Sequence, residues 1–266
     1  MKHTRLFQIP FGELKSQTGV YFLEKYTINY ASSIAVIKQN MESKSLINPS
    51  INLDLLALVN PKPLLNPKLQ SLDFAENNFY RISEFYNTCT VFKGNEATKE
   101  RFREEASKHT VIFLVTHAEI SKNSSLNPYI ALARTTCDEG LFETSDIFTL
   151  NLCADLVVLL GCKTGVGKIT GDGVIGLSRA FTWAGASSLI ISLLDAPEEQ
   201  SLQQIYEFNE NWLRKGESKI QALRKVNVVF CVSKVYKHCF TEQTRIKVFH
   251  VKIYTRLLYK NIKYVV

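Results

Sequence analysis

Short apolar runs alternate along the chain with segments in which apolar residues recur at helical spacing. Four runs predict strands: residues 53–59, 111–116, 155–160 and 188–194. Most side chains in these runs are aliphatic, which is typical of strands that are buried on both faces of a parallel sheet. We therefore expect an α/β fold in which a central, mostly parallel sheet is covered by helices.

The segments between and after these runs predict helices. They span residues 33–43, 72–85, 97–108, 174–184 and 202–212, and a further helix begins near residue 220. Gly185 and Gly216 follow two of them, at the position where glycine commonly ends a helix. Two further strand-like patterns occur, at residues 26–30 and around residues 249–253.

The charge is distributed unevenly between the main body and the end of the chain. The 266 residues carry a net charge of +7, but residues 225–266 hold nine Lys or Arg against one acid, whereas the rest holds 23 basic and 24 acidic side chains. We therefore expect one domain over residues 1–226 that does not bind nucleic acid, followed by a basic tail over residues 227–266.

The cysteines and the first residues indicate the compartment. Six cysteines at irregular spacings predict a chain without a disulfide framework, in a reducing, cytoplasmic environment. The amino terminus lacks the apolar stretch of a signal peptide, and no apolar run approaches the ~20 residues of a membrane-spanning helix. Cys89, Cys137 and Cys153 are expected in small apolar contacts. No recognised zinc spacing occurs, even among Cys231, His238, Cys239 and His250, so no metal is expected.

A histidine and a cysteine directly follow two of the predicted strands. TVIFLVT leads into His117 and DLVVLLG leads into Cys162. Because ligands bind beyond the carboxyl ends of the strands in open α/β sheets, the two residues can share one site. A thiolate with a nearby imidazole can cleave a peptide bond. The alternative is a buried apolar cysteine and a hydrogen-bonded core histidine.

Two glycine-rich segments imitate nucleotide-binding loops. GDGVIG at residues 171–176 has the spacing of a dinucleotide loop, but it follows no strand directly and lacks the acidic residue some 20 positions later. GCKTGVGK has Cys162 where a phosphate loop requires its first glycine, and Ile169 where a hydroxyl must bind magnesium. We therefore expect no cofactor.

The segments around His117 and Cys162 and the segment 171–193, in this order, resemble the CHAT family, caspase-like cysteine peptidases that are often attached to tetratricopeptide repeats. The resemblance rests on FLVTHAE, VVLLGCKTGVG and GDGVIGLSRAFTWAGASSLIISL, with further likeness in IPFGELKSQTGVYFLEKYTINYASS, ALVNP and ATKERF. It covers roughly residues 4–226. It implies a caspase-hemoglobinase-like three-layer α/β sandwich, which agrees with the order of predicted strands and helices.

The resemblance also implies the roles of individual residues. His117 and Cys162 correspond to the catalytic dyad, and the backbone N–H groups of Ala118 and Cys162 correspond to the oxyanion hole. Glu198 stands where family members often carry an Asp in an acidic substrate pocket, although it could equally cap the next helix. Ala118 replaces the glycine that usually follows the histidine, and a positive φ there would strain the alanine. Both ends depart from the family's pattern, and the chain therefore resembles a fragment of a longer protein or an altered isoform.

Three functions follow from these observations. The first is a cysteine endopeptidase that cleaves protein or peptide substrates through an acyl-enzyme. The second is a catalytically silent CHAT-type module that binds a protein partner, which the resemblance suggests is a tetratricopeptide-repeat protein or parent chain. The third is binding of the basic tail to an acidic surface such as anionic lipid or RNA.

Overall fold

The description of the fold rests on a computed structural model. It describes residues 11, 14–28, 53–120, 128–160, 168–170, 173–192, 197–232 and 251–255. The predicted helix at residues 33–43 lies outside these ranges.

The described ranges contain eleven strands and eight α-helices. The strands are β1 (Asp54–Val59), β2 (Thr88–Lys93), β3 (Val111–Val115), β4 (Ala118–Ile120), β5 (Pro128–Ala131), β6 (Leu141–Glu143), β7 (Leu156–Leu160), β8 (Lys168–Thr170), β9 (Gly173–Ile175), β10 (Ser188–Ser192) and β11 (Val251–Thr255). The helices are α1 (Phe22–Lys25), α2 (Asp73–Asn78), α3 (Tyr80–Ser83), α4 (Lys99–Glu105), α5 (Thr144–Phe148), α6 (Leu177–Trp183), α7 (Glu198–Asn209) and α8 (Lys219–Val232).

Six strands form the main sheet in the order β11-β10-β7-β3-β1-β2. The strands from β10 to β2 are parallel, and β11 pairs antiparallel with β10 at one edge. Strand order reverses beside β1, because β2 adds on one side of it and β3 on the other. Such a reversal is where open α/β sheets bind ligands, at the carboxyl ends of the strands.

Helices cover both faces of this sheet, which gives three layers. Along β1, Leu55, Ala57 and Val59 belong to one apolar cluster, which includes residues of α2, α3, α7 and α8. Leu56 and Leu58 belong to the opposite cluster, which includes residues of α4, α5 and α6. The alternation follows from the two-residue period of a strand, and burial on both faces explains the continuous apolar runs. The predicted α/β sandwich is confirmed.

Two small antiparallel sheets accompany the main one. β4 begins three residues after β3 ends, and it pairs with β5, which pairs with β6. β8 and β9 pair with each other, so GDGVIG includes the second strand of this pair. The sequence did not predict these strands, since three or four residues are too few to establish a period.

Several predicted elements differ from the structure in extent. The helix predicted at 72–85 is divided into α2 and α3 at Phe79. The helix predicted from residue 97 begins later, because the side chain of Thr98 accepts a hydrogen bond from the backbone N–H of Arg101 and caps α4. Residues 26–28 form no strand. The predicted helix end at Gly185 is confirmed: its φ is 114°, and a Cβ there would lie 2.4 Å from the Leu152 carbonyl oxygen.

The region after residue 226 contributes regular structure. α8 continues to Val232, and β11 forms where strand-like alternation was predicted. The predicted domain boundary at residue 226 stays a prediction. Within the ranges given above, none of the helices has the length and apolar character that crossing a membrane requires.

The cysteines in the described ranges lie at the surface. Cys89 in β2, Cys137 in a bend and Cys153 in the segment before β7 are all exposed and unpaired in disulfides. The expectation of small apolar contacts was wrong for these three, because the apolar positions of the neighbouring elements belong to other residues. They are therefore accessible to thiol reagents.

Candidate functional site

His117 lies just beyond the carboxyl end of β3, and its ring is fixed by one hydrogen bond. The ring Nε2 is 2.7 Å from the Gln70 carbonyl oxygen, and the residue is only 7% exposed. A carbonyl can only accept, so Nε2 donates and carries the proton. In the neutral ring, Nδ1 is then the nitrogen that can take up a proton. No side chain or backbone group in the described ranges bonds to Nδ1.

A cavity of about 160 Å³ opens beside this ring. It lies beyond β3 and β7, between the segment before α2 and the start of α7. Its walls are formed by Gln70, Ser71, Leu72, Ala75, Val115, His117, Leu160, Pro197, Glu198, Ser201 and Leu202. The wall is largely apolar, with an imidazole and a carboxylate facing the same space.

Glu198 supplies that carboxylate from the first residue of α7. Its Oε1 accepts a hydrogen bond from the backbone N–H of Ala75, the third residue of α2. The side chain therefore caps α2 rather than its own helix. Burial raises the pKa of Glu198, and the Asp73 carboxylate raises it further, whereas the Ala75 N–H, His117 and Lys62 oppose the shift.

Ala118 begins β4, the edge strand of the small sheet. Ala118 stands opposite Ile130, and the adjacent His117 carbonyl accepts a hydrogen bond of 2.9 Å from Ala131. Hydrogen-bonded and non-bonded pairs alternate in antiparallel strands, so the Ala118 N–H points away from β5. Ala118 does not have a positive φ. The backbone conformation at this position therefore does not strain an alanine.

Cys162 lies outside the described residues, as does the whole segment 161–167, which holds the first seven residues of GCKTGVGK. The strand that leads to it is described. β7 is the direct parallel neighbour of β3, and Val115 pairs with Leu160. His117 and Cys162 each stand two positions beyond this pair in the sequence. Val115 and Leu160 also belong to the same apolar cluster and line the same cavity.

Sequence reasoning missed the segment between β1 and α2 that completes the site. The group of Gln70 that bonds to His117 is its backbone carbonyl. Every residue type has this group, so the sequence cannot indicate the contact. Asn60 directly follows β1, and its buried amide bonds to residues 71–76. The dipeptide Asn60-Pro61 after an apolar run was the available signal, since Asn-Pro marks a turn.

The described residues contain no group of three or more His, Cys, Asp or Glu side chains arranged to hold a metal ion.

Comparison with known proteins identifies relatives over most of the chain. The family model of the CHAT domain matches residues 2–246. Tetratricopeptide repeat protein 28 from Homo sapiens is 28% identical over 280 aligned positions, and its counterpart from Mus musculus is 24% identical. Each match covers 88% of this chain and 11% of the relative, so the chain spans about a tenth of the length of these proteins.

A solved structure shares the fold. In the Saccharomyces cerevisiae separase–securin complex, a chain superposes with a TM-score of 0.55 at 14% identity, over 86% of this chain and 14% of that one. At this identity the likeness concerns the fold alone, and it agrees with a caspase-like α/β sandwich.

Proposed function

The chain belongs to the CHAT domain family, and from this premise we propose that it is a cysteine endopeptidase with His117 as base and acid and Cys162 as nucleophile.

The register of β3 and β7 carries this proposal. The two strands are parallel neighbours with Val115 opposite Leu160, and both side chains point to the α2/α7 face. Side chains two positions apart share a face of a strand. We therefore expect Cys162, two positions after Leu160, to lie on the same side of the sheet as His117, two positions after Val115. His117 already lies there, against Gln70 and the cavity.

The groups on this edge support one reaction path. The Cys162 thiol gives its proton to Nδ1 of His117, and the thiolate forms a C–S bond to the scissile carbonyl carbon. The backbone N–H groups of Ala118 and Cys162 hold the resulting oxyanion. His117 then protonates the leaving nitrogen as the C–N bond breaks. Water gives a proton to His117, attacks the thioester and releases the acid and the thiolate.

Labelling with a peptidyl acyloxymethyl ketone tests the proposal, since its carbonyl is attacked by an active-site thiolate. We expect the full chain to be labelled once, with a rate that saturates with reagent. Labelling should be lost in Cys162→Ala and strongly slowed in His117→Ala. Exposed cysteines provide matched controls, because Cys137→Ala and Cys153→Ala should leave the saturable labelling unchanged.

Glu198 is proposed to favour a basic side chain next to the cleaved bond. Its carboxylate faces the same cavity as His117, and an ionised carboxylate attracts Lys or Arg. A ketone carrying Arg should then label faster than one carrying Leu, and Glu198→Gln should remove this preference. Equal rates with both reagents in the unaltered chain would contradict this role.

A second candidate function is a catalytically silent module that binds a protein. One surface observation favours it. Trp183 at the end of α6 is 74% exposed and stacks edge-to-face with Phe148 of α5, with ring centroids 6.4 Å apart. Large exposed aromatic pairs are common at protein contacts. The similarity to tetratricopeptide repeat proteins suggests a partner or parent chain of that type.

The labelling experiment distinguishes the two functions. Slow, non-saturating labelling of several cysteines, unaffected by His117→Ala, would support the silent module and reject the peptidase. In that case Trp183→Ser should weaken binding to a tetratricopeptide-repeat partner. A cytoplasmic location and binding of acidic surfaces by the tail remain predictions from the sequence.

A further inference from the structure

Asn60 occupies the turn directly after β1, next to the point where the strand order reverses. Its φ is 50°, and it is the one residue other than glycine with a positive φ in the described ranges. The residue is 3% exposed. Asn adopts this left-handed conformation more readily than most residues, but it still requires support from its surroundings.

The side chain of Asn60 supplies that support by fixing the segment that follows Gln70. Its Oδ1 accepts a hydrogen bond of 2.8 Å from the backbone N–H of Leu72. Its Nδ2 donates to Ser71 Oγ at 3.2 Å and to the carboxylates of Asp73 and Glu76. Both ends of the amide are therefore occupied.

The backbone of Asn60 holds the other half of the site. Its N–H donates to the Val115 carbonyl oxygen at 2.9 Å, at the last residue of β3 and two residues before His117. Leu72, which the side chain holds, stands two residues after Gln70. A single residue thus contacts both segments whose separation determines the hydrogen bond between His117 and Gln70.

We infer that Asn60 is a positioning residue for the imidazole: it holds the Gln70 carbonyl against Nε2 of His117 and so keeps Nδ1 turned toward the cavity. This inference rests on the proposed role of His117 in catalysis. The contacts themselves exist whether or not the chain is a peptidase.

The chemistry of the turn explains why asparagine suits it better than other residues. Asp would keep the acceptor for Leu72, but it would lose the donors and place a third carboxylate beside Asp73 and Glu76. Gly would tolerate the φ and lose every side-chain bond.

The test compares Asn60→Asp and Asn60→Gly with Asn209→Asp in the full chain. Asn209 is a matched control. It is fully buried in the same apolar layer and bonded at both ends of its amide, to Tyr86 and Ile205, and neither of these bonds reaches the segment around Gln70. The measured quantity is the rate at which the Nε2–H proton of His117 exchanges with water, in protein that carries isotope-labelled histidine. The signal of this proton is assigned by its absence from the spectrum of His117→Gln.

We expect this exchange to accelerate about tenfold in both Asn60 variants, since a hydrogen bond of ordinary strength is lost or weakened. Asn209→Asp should leave it unchanged at a similar loss of stability. If Asn60→Asp does not fold, Asn60→Gly takes its place in the test, because glycine adopts the positive φ of this position. Unchanged exchange in a folded Asn60 variant, or equal acceleration in Asn209→Asp, would overturn the inference.

A second readout depends on activity. At saturating ketone, the labelling rate of Asn60→Gly should fall about tenfold, while the half-saturating concentration stays constant. If the unaltered chain shows no saturable labelling, the proposed function fails, and the exchange measurement alone decides the role of Asn60.

Discussion

The two ends of the parallel sheet both contain buried polar groups, but they use them differently. At the amino end, the Lys219 ammonium bonds to Asp155 Oδ2 at 2.7 Å, to the Asp155 carbonyl oxygen at 3.0 Å and to Ser188 Oγ at 3.0 Å. An ammonium has three protons, and each has a partner within the fold. Burial lowers the pKa of Lys219, although Asp155 opposes the shift.

At the carboxyl end, the imidazole of His117 differs both from Lys219 and from its neighbour Asn60, whose amide is bonded at both ends. Nε2 of His117 donates a hydrogen bond to the Gln70 carbonyl, whereas Nδ1 has no partner in the described ranges. Buried polar groups normally satisfy their hydrogen bonds within the protein, so a ring nitrogen left beside a cavity requires an explanation. The comparison indicates that the fully bonded ammonium at the amino end stabilises the fold, whereas Nδ1 of His117, which has no partner among the described residues, is the nitrogen that the proposed mechanism uses.

The largest expected effect is on stability, at the amino end. Lys219→Met leaves the Asp155 carboxylate buried without its cation, which costs about 3–5 kcal/mol. We expect the free energy of unfolding to fall by this amount in chemical denaturation. Adding Asp155→Asn removes the buried charge and should recover most of the loss. A loss below about 1 kcal/mol in Lys219→Met would show that Lys219 and Asp155 do not form the buried, fully bonded ion pair described above.

The next effect concerns the rate of labelling at the carboxyl end. Ala118→Pro removes the N–H that points away from β5, at a position where the strand ladder does not use it. Loss of the proposed oxyanion donor should lower rates by roughly 10²–10³-fold, so we expect ketone labelling to slow by that factor while the fold is retained.

Ala118→Gly is the matched control for this position. Because φ at residue 118 is not positive, glycine offers no conformational advantage there, and labelling should change little. If Ala118→Gly instead accelerates labelling strongly, the alanine does impair the site, and the silent module gains support.

Sequence alone predicted the parts of the fold that depend on long apolar patterns. β1, β3 and β7 were predicted because each contains a run of five apolar residues, and β10 because its apolar residues are β-branched or Leu between two serines. His117 was singled out because it directly follows one of these runs. The neighbouring positions of β3 and β7 needed the structure, since strand order depends on contacts between distant residues.

Other features of the site carry no sequence signal. A backbone carbonyl such as that of Gln70 is present in every residue type. The hydrogen bond by which Glu198 caps α2 connects residues that are 123 positions apart in the sequence. The division of one predicted helix at Phe79 also escaped prediction, because the apolar spacing continues through it. Tertiary packing, rather than local propensity, decides such features.

A smaller effect comes from the buried carboxylate of Glu198. Its pKa is raised above 4.5, mainly by burial, so the folded chain binds this proton more tightly than the unfolded chain does. The resulting stability is fully present below the unfolded pKa and is lost as the pH rises through the folded pKa. Relative to Glu198→Gln, the unaltered chain should therefore lose stability as the pH rises from about 4.5, and then level off.

Urea unfolding of both chains between about pH 4 and pH 8 checks this dependence. The amide of Gln can still accept the Ala75 N–H through its oxygen, so the cap is retained and only the titration is removed. A difference that grows in favour of the unaltered chain with rising pH would mean that hydrogen bonding, rather than burial, dominates at Glu198.

The smallest effect is expected for the exposed ion pair at the carboxyl end. Lys62 lies 2.7 Å from Asp73 and 3.4 Å from Glu76, but the side chains of Lys62 and Asp73 are 44% and 65% exposed. The Asp73 hydrogen bond raises the pKa of Lys62, and the same bond lowers that of Asp73, so both are charged at neutral pH. Water and salt screen such a pair, and Lys62→Met should cost no more than about 1 kcal/mol, less in high salt. Asp73 keeps its bonds to Asn60 and Ser71, so the exchange of the His117 Nε2–H proton should not change. A loss as large as that of Lys219→Met would mean that charge pairing stabilises both ends of the sheet alike. The amino end could then no longer be distinguished as the end at which buried ion pairing stabilises the fold.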